Sequence, residues 1–494
     1  MNKQVYALVA LGGVLLSVVG ASAFSGGAVT SRLSEQTVAL GKLLPGLKLE
    51  EQIDRGLFST TRTVKLRLGC VPKPGAGGSV GRMPPLELRW RDTIQHGPLP
   101  GGKTFALALI DSELLLPDSL KAQAQQVIGD KSPLTAHTRI GFGGNFESDT
   151  VVPGVKVKLS ATEEVSFSGL TLRSTGRFPM GAGTLSYSGS LAPLSFHTKT
   201  SDGALDVSMG AADFTGSVKV DPKIASFLVP FQSEGSIDSI KVSTQLPSAA
   251  GVGQAPVEFS LDKVKGKSDS SLDKELWSYR SSMSGVLHFK DVVIDKVELG
   301  SGIKRLHGPT YAKLLSQLIE TSLSCDKPLD AKDPMAAFEG MLDDGFALLT
   351  HDPEYSVGPI AVELAGKRAE LSYSVGMRGV TLNDKLVPFV ALLQQKSVAR
   401  ADVKADLALV DEFLKLANKF GGLGPAGAQQ GALPPGTPDP NAIMARAMIE
   451  GFVAQGYLVR EGESVRASIE SVAGALKLNG KPFAMPDLSS LGGP

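Results

Sequence analysis

The chain has 494 residues, too many for one ordinary hydrophobic core, and 42% of them are apolar, enough to build two or more packed units. Lys plus Arg equals Asp plus Glu at 50 each, so the formal charge is zero and the electrostatic footprint of a nucleic-acid binder is missing. Aromatic residues are only 6%, which argues against a sugar or nucleic-acid surface made of stacked rings.

Residues 1–24 read as a targeting segment. Lys3 gives a basic start, an apolar run follows from Val5 to Val19, and Ala21-Ser22-Ala23 fits the small-x-small pattern of leader cleavage. The run to Phe24 is also long enough to cross a bilayer. An anchor and a cleaved signal both place the body outside the cytoplasm, the first tethered to a membrane, the second soluble. Cys70 and Cys325 suit such an oxidising compartment, either as one long-range disulfide or as two buried thiols.

From Thr61 to about Leu299 the dominant period is two. Thr63-Val64-Lys65-Leu66-Arg67-Leu68, Leu86-Glu87-Leu88-Arg89-Trp90 and Val155-Lys156-Val157-Lys158-Leu159 alternate apolar with polar, the pattern of half-buried antiparallel strands. An aromatic, then Ser or Thr, then Gly recurs at Phe167-Ser168-Gly169, Tyr187-Ser188-Gly189 and Phe214-Thr215-Gly216, either a hairpin-level repeat with glycine at a bulge or chance in a Ser/Gly-rich chain. Helical periodicity then appears over Tyr311–Ser324, from Asp333-Pro334 to about Leu349, from about Ala405 to Phe420, and from Asp439-Pro440 to about Gln455. Strands are expected at Ile360–Leu364, Ala369–Val380, Val465–Ile469 and Ala475–Leu478. The expected fold is α+β and mainly β: a long antiparallel sheet region, then an α+β region whose helices cover a sheet. The expected segments are 1–24, a β region 25–305, an α+β region 306–420, a Gly/Pro linker 421–440, and a helix with closing strands 441–494.

Tests for chemistry fail. None of His96, His137, His197, His288, His307 and His351 has a His or Cys partner at metal spacing. Gly77-Gly78-Ser79-Val80-Gly81 matches a nucleophile elbow, but Met83-Pro84-Pro85 blocks the helix that must follow it. Asp343-Asp344 reads as a solvated turn near a helix end. No catalytic, cofactor-binding or metal-ligating residue is expected, and the chain is not expected to be an enzyme.

Four landmarks in order carry a family likeness: the N-terminal hydrophobic segment, Ile53-Asp54-Arg55-Gly56-Leu57-Phe58-Ser59-Thr60, Ile94-Gln95-His96-Gly97-Pro98-Leu99-Pro100, and Leu476-Lys477-Leu478-Asn479-Gly480-Lys481-Pro482-Phe483. Together they resemble the YdgA-like family of Gram-negative envelope proteins. The resemblance implies an uncleaved anchor in the inner membrane, a periplasmic body and no catalytic residue list. The residues alone suggest local roles: a turn at Asp54 and Gly56, a bend at His96-Gly97-Pro98, and a hairpin turn at Asn479-Gly480. Two functions are expected: an anchored scaffold that binds envelope proteins or itself, or a lipid-binding protein with an apolar groove along its sheet. On the lipid reading, Leu107–Ile110 and Leu114–Leu116 supply the lining.

Overall fold

The computed structural model describes residues 30–483 apart from 32, 36, 39–46, 57, 70–71, 75–79, 83–85, 98, 103, 178–182, 201–202, 222–223, 225–227, 246–256, 290–291, 324–340 and 414–439. The chain divides into two compact units, one of residues 1–258, 267–277 and 307–345, the other of 259–266, 278–306 and 346–494.

The first unit is built on antiparallel strands: β1 (Leu47–Arg55), β2 (Ser59–Leu68), the small β3 (Pro72–Pro74) and β4 (Val80–Arg82) pair, β5 (Leu86–His96), β6 (Ala108–Leu115), β7 (Thr135–Ile140), β8 (Asn145–Lys158), β9 (Glu163–Arg177), β10 (Gly183–Leu191), β11 (Leu194–Thr200), β12 (Gly203–Met209), β13 (Ala212–Val220) and β14 (Phe231–Gln245). β1, β2, β5, β6, β7, β8 and β9 pair in that order. Beyond β9 the chain folds as long strands broken in the middle. β10 and β11 both pair with β9, and β12 and β13 both pair with β14.

The breaks share one line. Pro153-Gly154 on β8 meets Ser168-Gly169 on β9. Ser168 and Ala192 exchange backbone bonds with Pro193 and Gly169, and Gly210 N and Asp238 N donate to Ser239 O and Ala211 O. A Cβ on Gly154 would stand 2.7 Å from Ser168 O, so this crossing needs glycine.

Alternation buries one face of this sheet. Val64, Leu66, Leu88, Trp90, Leu114, Leu134 and Val152 form one core cluster. Ile94, Ala108, Ile110, Ile140 and Phe146 form another around Leu33, from a helical segment between residues 30 and 38. The Ala108, Ile110 and Leu114 side chains, expected as groove lining, are therefore packed core. Helix α1 (Asp118–Ile128), which the sequence reading missed, lies against β8. Helix α2 (Gly308–Leu323) matches its expected position and stacks Tyr311 on Trp277 at 6.0 Å.

Two further strands, β15 (Val257–Asp273) and β16 (Leu276–Phe289), contribute residues to both units. The second unit continues with β17 (Val292–His307), β18 (Glu354–Leu364), β19 (Lys367–Met377), β20 (Ser397–Asp406), β21 (Val459–Glu461), β22 (Ser464–Val472), β23 (Ala475–Leu478) and β24 (Lys481–Pro482). β17, β18, β19, β20 and β22 pair antiparallel in that order, and β22 also takes β21 and β23. Its helices are α3 (Leu342–Leu349), which opens in the first unit's residues, α4 (Phe389–Lys396) and α5 (Pro440–Ala454).

The expected α+β region with covering helices is not what forms. The chain is mostly antiparallel strand throughout, and among the described residues no helix layer lies over the second unit's sheet. α3 and α4 meet the sheet only at one end, where Met377, Val380 and Leu392 are buried with Phe346, Leu349 and Val387. α5 leaves Ile443, Met444, Met448 and Phe452 exposed. The helix expected from Ala405 is also displaced. Ala405 and Asp406 end β20, helix begins at Leu409, and 414–420 lie outside the described residues. Ala399, Ala401 and Ala405 are good helix formers, but Arg400, Asp402 and Lys404 between them set a period of two. The Asp333-Pro334 helix start also falls outside the described residues.

Candidate functional surface

The landmark residues take structural positions. Asp54 lies near the end of β1, opposite Thr61, and Gly56 N donates to Ser59 O at 2.8 Å to close the turn into β2. His96 Nε2 lies 2.9 Å from Thr60 Oγ1, joining the ends of β5 and β2. Gly97 follows, and a Cβ there would stand 2.3 Å from Ala106 O, so only glycine fits. Pro98 lies outside the described residues, as do Cys70, Cys325, Ser79 and residues 1–24. Val80, next to Ser79, opens strand β4 rather than the helix an elbow requires. His307 is held by Thr310 Oγ1 at 2.8 Å and Glu275 at 3.2 Å, partners distinct from those of His96. Asp344 sits in the first turn of α3, where Lys313 bonds it at 2.9 Å.

Asn479-Gly480 forms the expected hairpin turn, with φ positive at both residues and Leu478 opposite Lys481. The Asn479 side chain does more than turn the chain. It accepts from Ser468 N at 2.9 Å and donates to Gly456 O and Tyr457 O, tying the hairpin to the segment after α5.

Sequence reading missed the most buried charges. Arg62 on β2 faces Asp92 on β5 in register, and both are buried. Arg62 Nη1 donates to Asp92 Oδ2 at 2.7 Å, while Trp90 Nε1 and the Ser112 hydroxyl donate to Oδ1 at 2.6 and 2.7 Å. Arg62 also reaches Glu51, and on the helical segment near residue 33 it contacts Thr37 and Leu33 O. Every polar atom of Asp92 is thus satisfied, which is what makes a buried carboxylate tolerable. The signal was a charged residue at core-facing parity in two neighbouring strands. The cluster locks a helical segment to a sheet. Among the described residues no group of three or more His, Cys, Asp or Glu could hold a metal.

The second unit offers a different feature: a sheet with two unlike faces. On one face charges pair along the strands and, from Arg368 on β19 to Glu298 on β17, across them. Glu298 pairs with Lys296 at 2.8 Å and Arg368 at 2.5 Å, Arg368 with Glu370 at 3.2 Å, and Arg400 with Asp402 at 2.7 Å. Hydrogen bonds from Lys296 and then Arg368 hold the Glu298 carboxyl below its ordinary value, and Arg400 does the same for Asp402. Asp406 is lowered by the Arg368 backbone N–H and the Ser464 hydroxyl.

The opposite face is apolar and open. Register aligns Leu299, Ile360, Leu371 and Val403 in one row, Val357, Tyr373, Ala401, Ile469 and Leu478 in a second, and Tyr355, Val375, Ala399 and Leu476 in a third. Leu299, Tyr355, Ile360, Leu371, Tyr373, Val375, Val403 and Ile469 are between 36% and 50% exposed. Single exposed apolar residues are ordinary, but these are contiguous on five paired strands. Next to its closed end, the 3-10 turn Leu382–Leu386 and α4 expose Leu382, Leu386, Phe389 and Val390, with Leu386 at 92%.

Among the described residues no helix is long and apolar enough to cross a membrane. A family model described as "Bacterial protein of unknown function (DUF945)" matches residues 1–486. No curated protein and no solved structure matches the chain.

Proposed function

The chain belongs to this bacterial family of unknown function, and from that premise we propose that it is a non-enzymatic lipid-handling protein that takes acyl chains onto the open apolar face of its second unit. The observation that carries the reading is the row structure of that face, large apolar side chains side by side on β17, β18, β19, β20 and β22. Burying such a surface against hydrocarbon recovers about 25 cal/mol per Å². Membership in the YdgA-like group, an N-terminal anchor in the inner membrane and a periplasmic body are part of the proposal, motivated by the apolar run and cleavage-like site in residues 1–24 and by the landmark motifs. The competing scaffold reading shares this location and gives the same face to an envelope protein or a second copy.

Native mass spectrometry of the protein released from its own membranes in mild detergent tests the proposal. An intact N-terminus with a phospholipid or other lipid at fixed stoichiometry is the expected result. Protein free of lipid but carrying copies of itself or another envelope protein would overturn lipid handling and leave the scaffold.

A further inference from the structure

The connection from β19 to β20 holds Leu386, the most exposed large apolar side chain of the described residues at 92%. Between Met377 and Ser397 the chain makes the 3-10 turn Leu382–Leu386 and then α4. Leu382 is 70% exposed, Val390 67% and Phe389 63%, and Leu393, one turn beyond Phe389, is exposed as well. Val380, Val387 and Leu392 point inward and pack with Met377, Phe346 and Leu349. Asp384 accepts from Thr381 N at 2.8 Å and from the Thr381 hydroxyl at 3.0 Å, and Gly379 N donates to Asp352 Oδ1 at 2.7 Å. A loose loop would fold its hydrocarbon back on itself, whereas this knuckle is braced from behind and holds its own in water.

The base of the knuckle is cationic. From Arg378 to Lys396 the chain carries Arg378, Lys385 and Lys396 against one acid, Asp384. Asp384 is matched within the knuckle by Lys396 at 3.8 Å. On β18, Glu354 is matched by Lys304 at 2.8 Å, Arg305 at 3.6 Å and Arg378 at 3.9 Å. Lys304, Arg305, Arg378, Lys385 and Lys396 thus outnumber Asp352, Glu354 and Asp384. Apolar side chains at a tip with surplus positive charge behind them complement an anionic bilayer, whose acyl boundary lies beneath its phosphates. We infer that this knuckle docks the second unit on a membrane surface of anionic phospholipid, with Leu382, Leu386, Phe389 and Val390 entering the acyl boundary and Arg378 and Lys385 at the headgroups. The contact is additional to the N-terminal segment and goes beyond the lipid-handling reading, since an anchored scaffold could rest on the same knuckle.

A bilayer suits these side chains better than a protein does. They stand proud of the surface, so a protein would have to bring a fitted pocket, while fluid acyl chains close around a knob of any shape. The backbone is 3-10 turn and helix and offers a peptide no strand edge. The entering segment also bonds within itself: Asp384 N to Thr381 O, Val387 N to Asp384 O and Leu392 N to Pro388 O, and Pro388 has no N–H to strand. Met377, buried with Leu392, continues the parity of Leu371, Tyr373 and Val375, so the apolar face of the sheet begins where the knuckle ends.

The test uses the full chain in nanodiscs of phosphatidylglycerol and phosphatidylcholine with bromine on the acyl chains. Phe389→Trp is the reporter, and the buried Trp90 and Trp277 are subtracted with the wild type. Reporter emission should shift to the blue and fall about twofold against discs of unbrominated lipid, less in pure phosphatidylcholine or at high salt. Leu386→Asp, at a side chain almost wholly in solvent, should abolish the quenching without moving the unfolding midpoint, and Lys385→Glu should weaken it. A reporter equally bright in brominated and plain discs would overturn the inference, and its shielding from iodide in native membranes alone would give the knuckle to a protein. Quenching that survives Leu386→Asp and Lys385→Glu unchanged would overturn it too, because the anchor alone would then hold the reporter near lipid. An unquenched reporter on a protein that still carries lipid by mass spectrometry would remove the knuckle and leave lipid handling standing.

Discussion

Arg62 and Asp92 show how one pair of side chains decides local stability. The two are buried, in register and fully hydrogen-bonded, so their Coulomb gain and their desolvation cost nearly offset while both are present. Removing one partner leaves the other charge buried alone. Arg62→Ala is expected to cost about 3–5 kcal/mol in urea unfolding, whereas Arg62→Met with Asp92→Leu should recover most of that loss. Equal losses in the single and double variants would show that packing, not the stranded charge, sets the cost. Gly97→Ala acts by a different route. The added methyl meets the Ala106 carbonyl, a backbone atom that cannot rotate away, and the expected loss is about 1–3 kcal/mol in the same experiment. The aromatic–Ser/Thr–Gly triplets also find an explanation at this scale. Tyr187 lies across from Gly216 and Phe214 from Gly189, and each ring occupies the space where the glycine's Cβ would be. The triplets do not share one backbone role: Gly169 is a break with positive φ, while Gly189 and Gly216 make room for a ring on the next strand. Neither role can be read from three residues, because register supplies the partner.

Elements that carry their own start and stop signals were legible. α2 and α5 formed near their expected bounds, α5 with Pro440 at its first position, and β22, β23 and the Asn479-Gly480 turn followed. β1 and β20 were not. β20 was hidden by its alanines, and β1 because Glu50-Glu51-Gln52 interrupts strict alternation. Helix cover failed as an expectation because amphipathic helices announce an apolar stripe but not what it meets. The uncovered sheet carries a pH dependence of its own. Glu298, Asp402 and Asp406 are held below their ordinary 4.5 and 3.8 by bonds that exist only in the folded state. Their stabilisation is complete above those ordinary values and is lost as pH falls through the lowered folded ones. The urea midpoint of the second unit should therefore be flat from pH 7 to 5 and fall as the pH drops below the ordinary carboxylate values. Glu298→Gln should lower it at pH 7 and flatten part of the acid limb. An acid limb unchanged by Glu298→Gln would mean that other carboxylates govern it.

At the scale of the whole molecule, zero net charge and an open apolar face act together. Charge repulsion normally keeps exposed hydrocarbon apart, and a chain with 50 acidic and 50 basic residues has little of it. The same surface can be satisfied by lipid or by a second copy, and mass action decides which. The delipidated chain is expected to self-associate with rising concentration in sedimentation velocity, and palmitate or phosphatidylglycerol should return it to the monomer. Tyr373→Glu with Val375→Lys puts charge on the apolar face without touching the ion-paired one. That variant should stay monomeric without lipid and lose lipid uptake together with self-association. The pairing of the two losses matters, because it ties both behaviours to one surface. A delipidated wild type that stays monomeric at tens of micromolar, yet binds no lipid, would assign the exposed rows on β17 to β22 to a different protein partner.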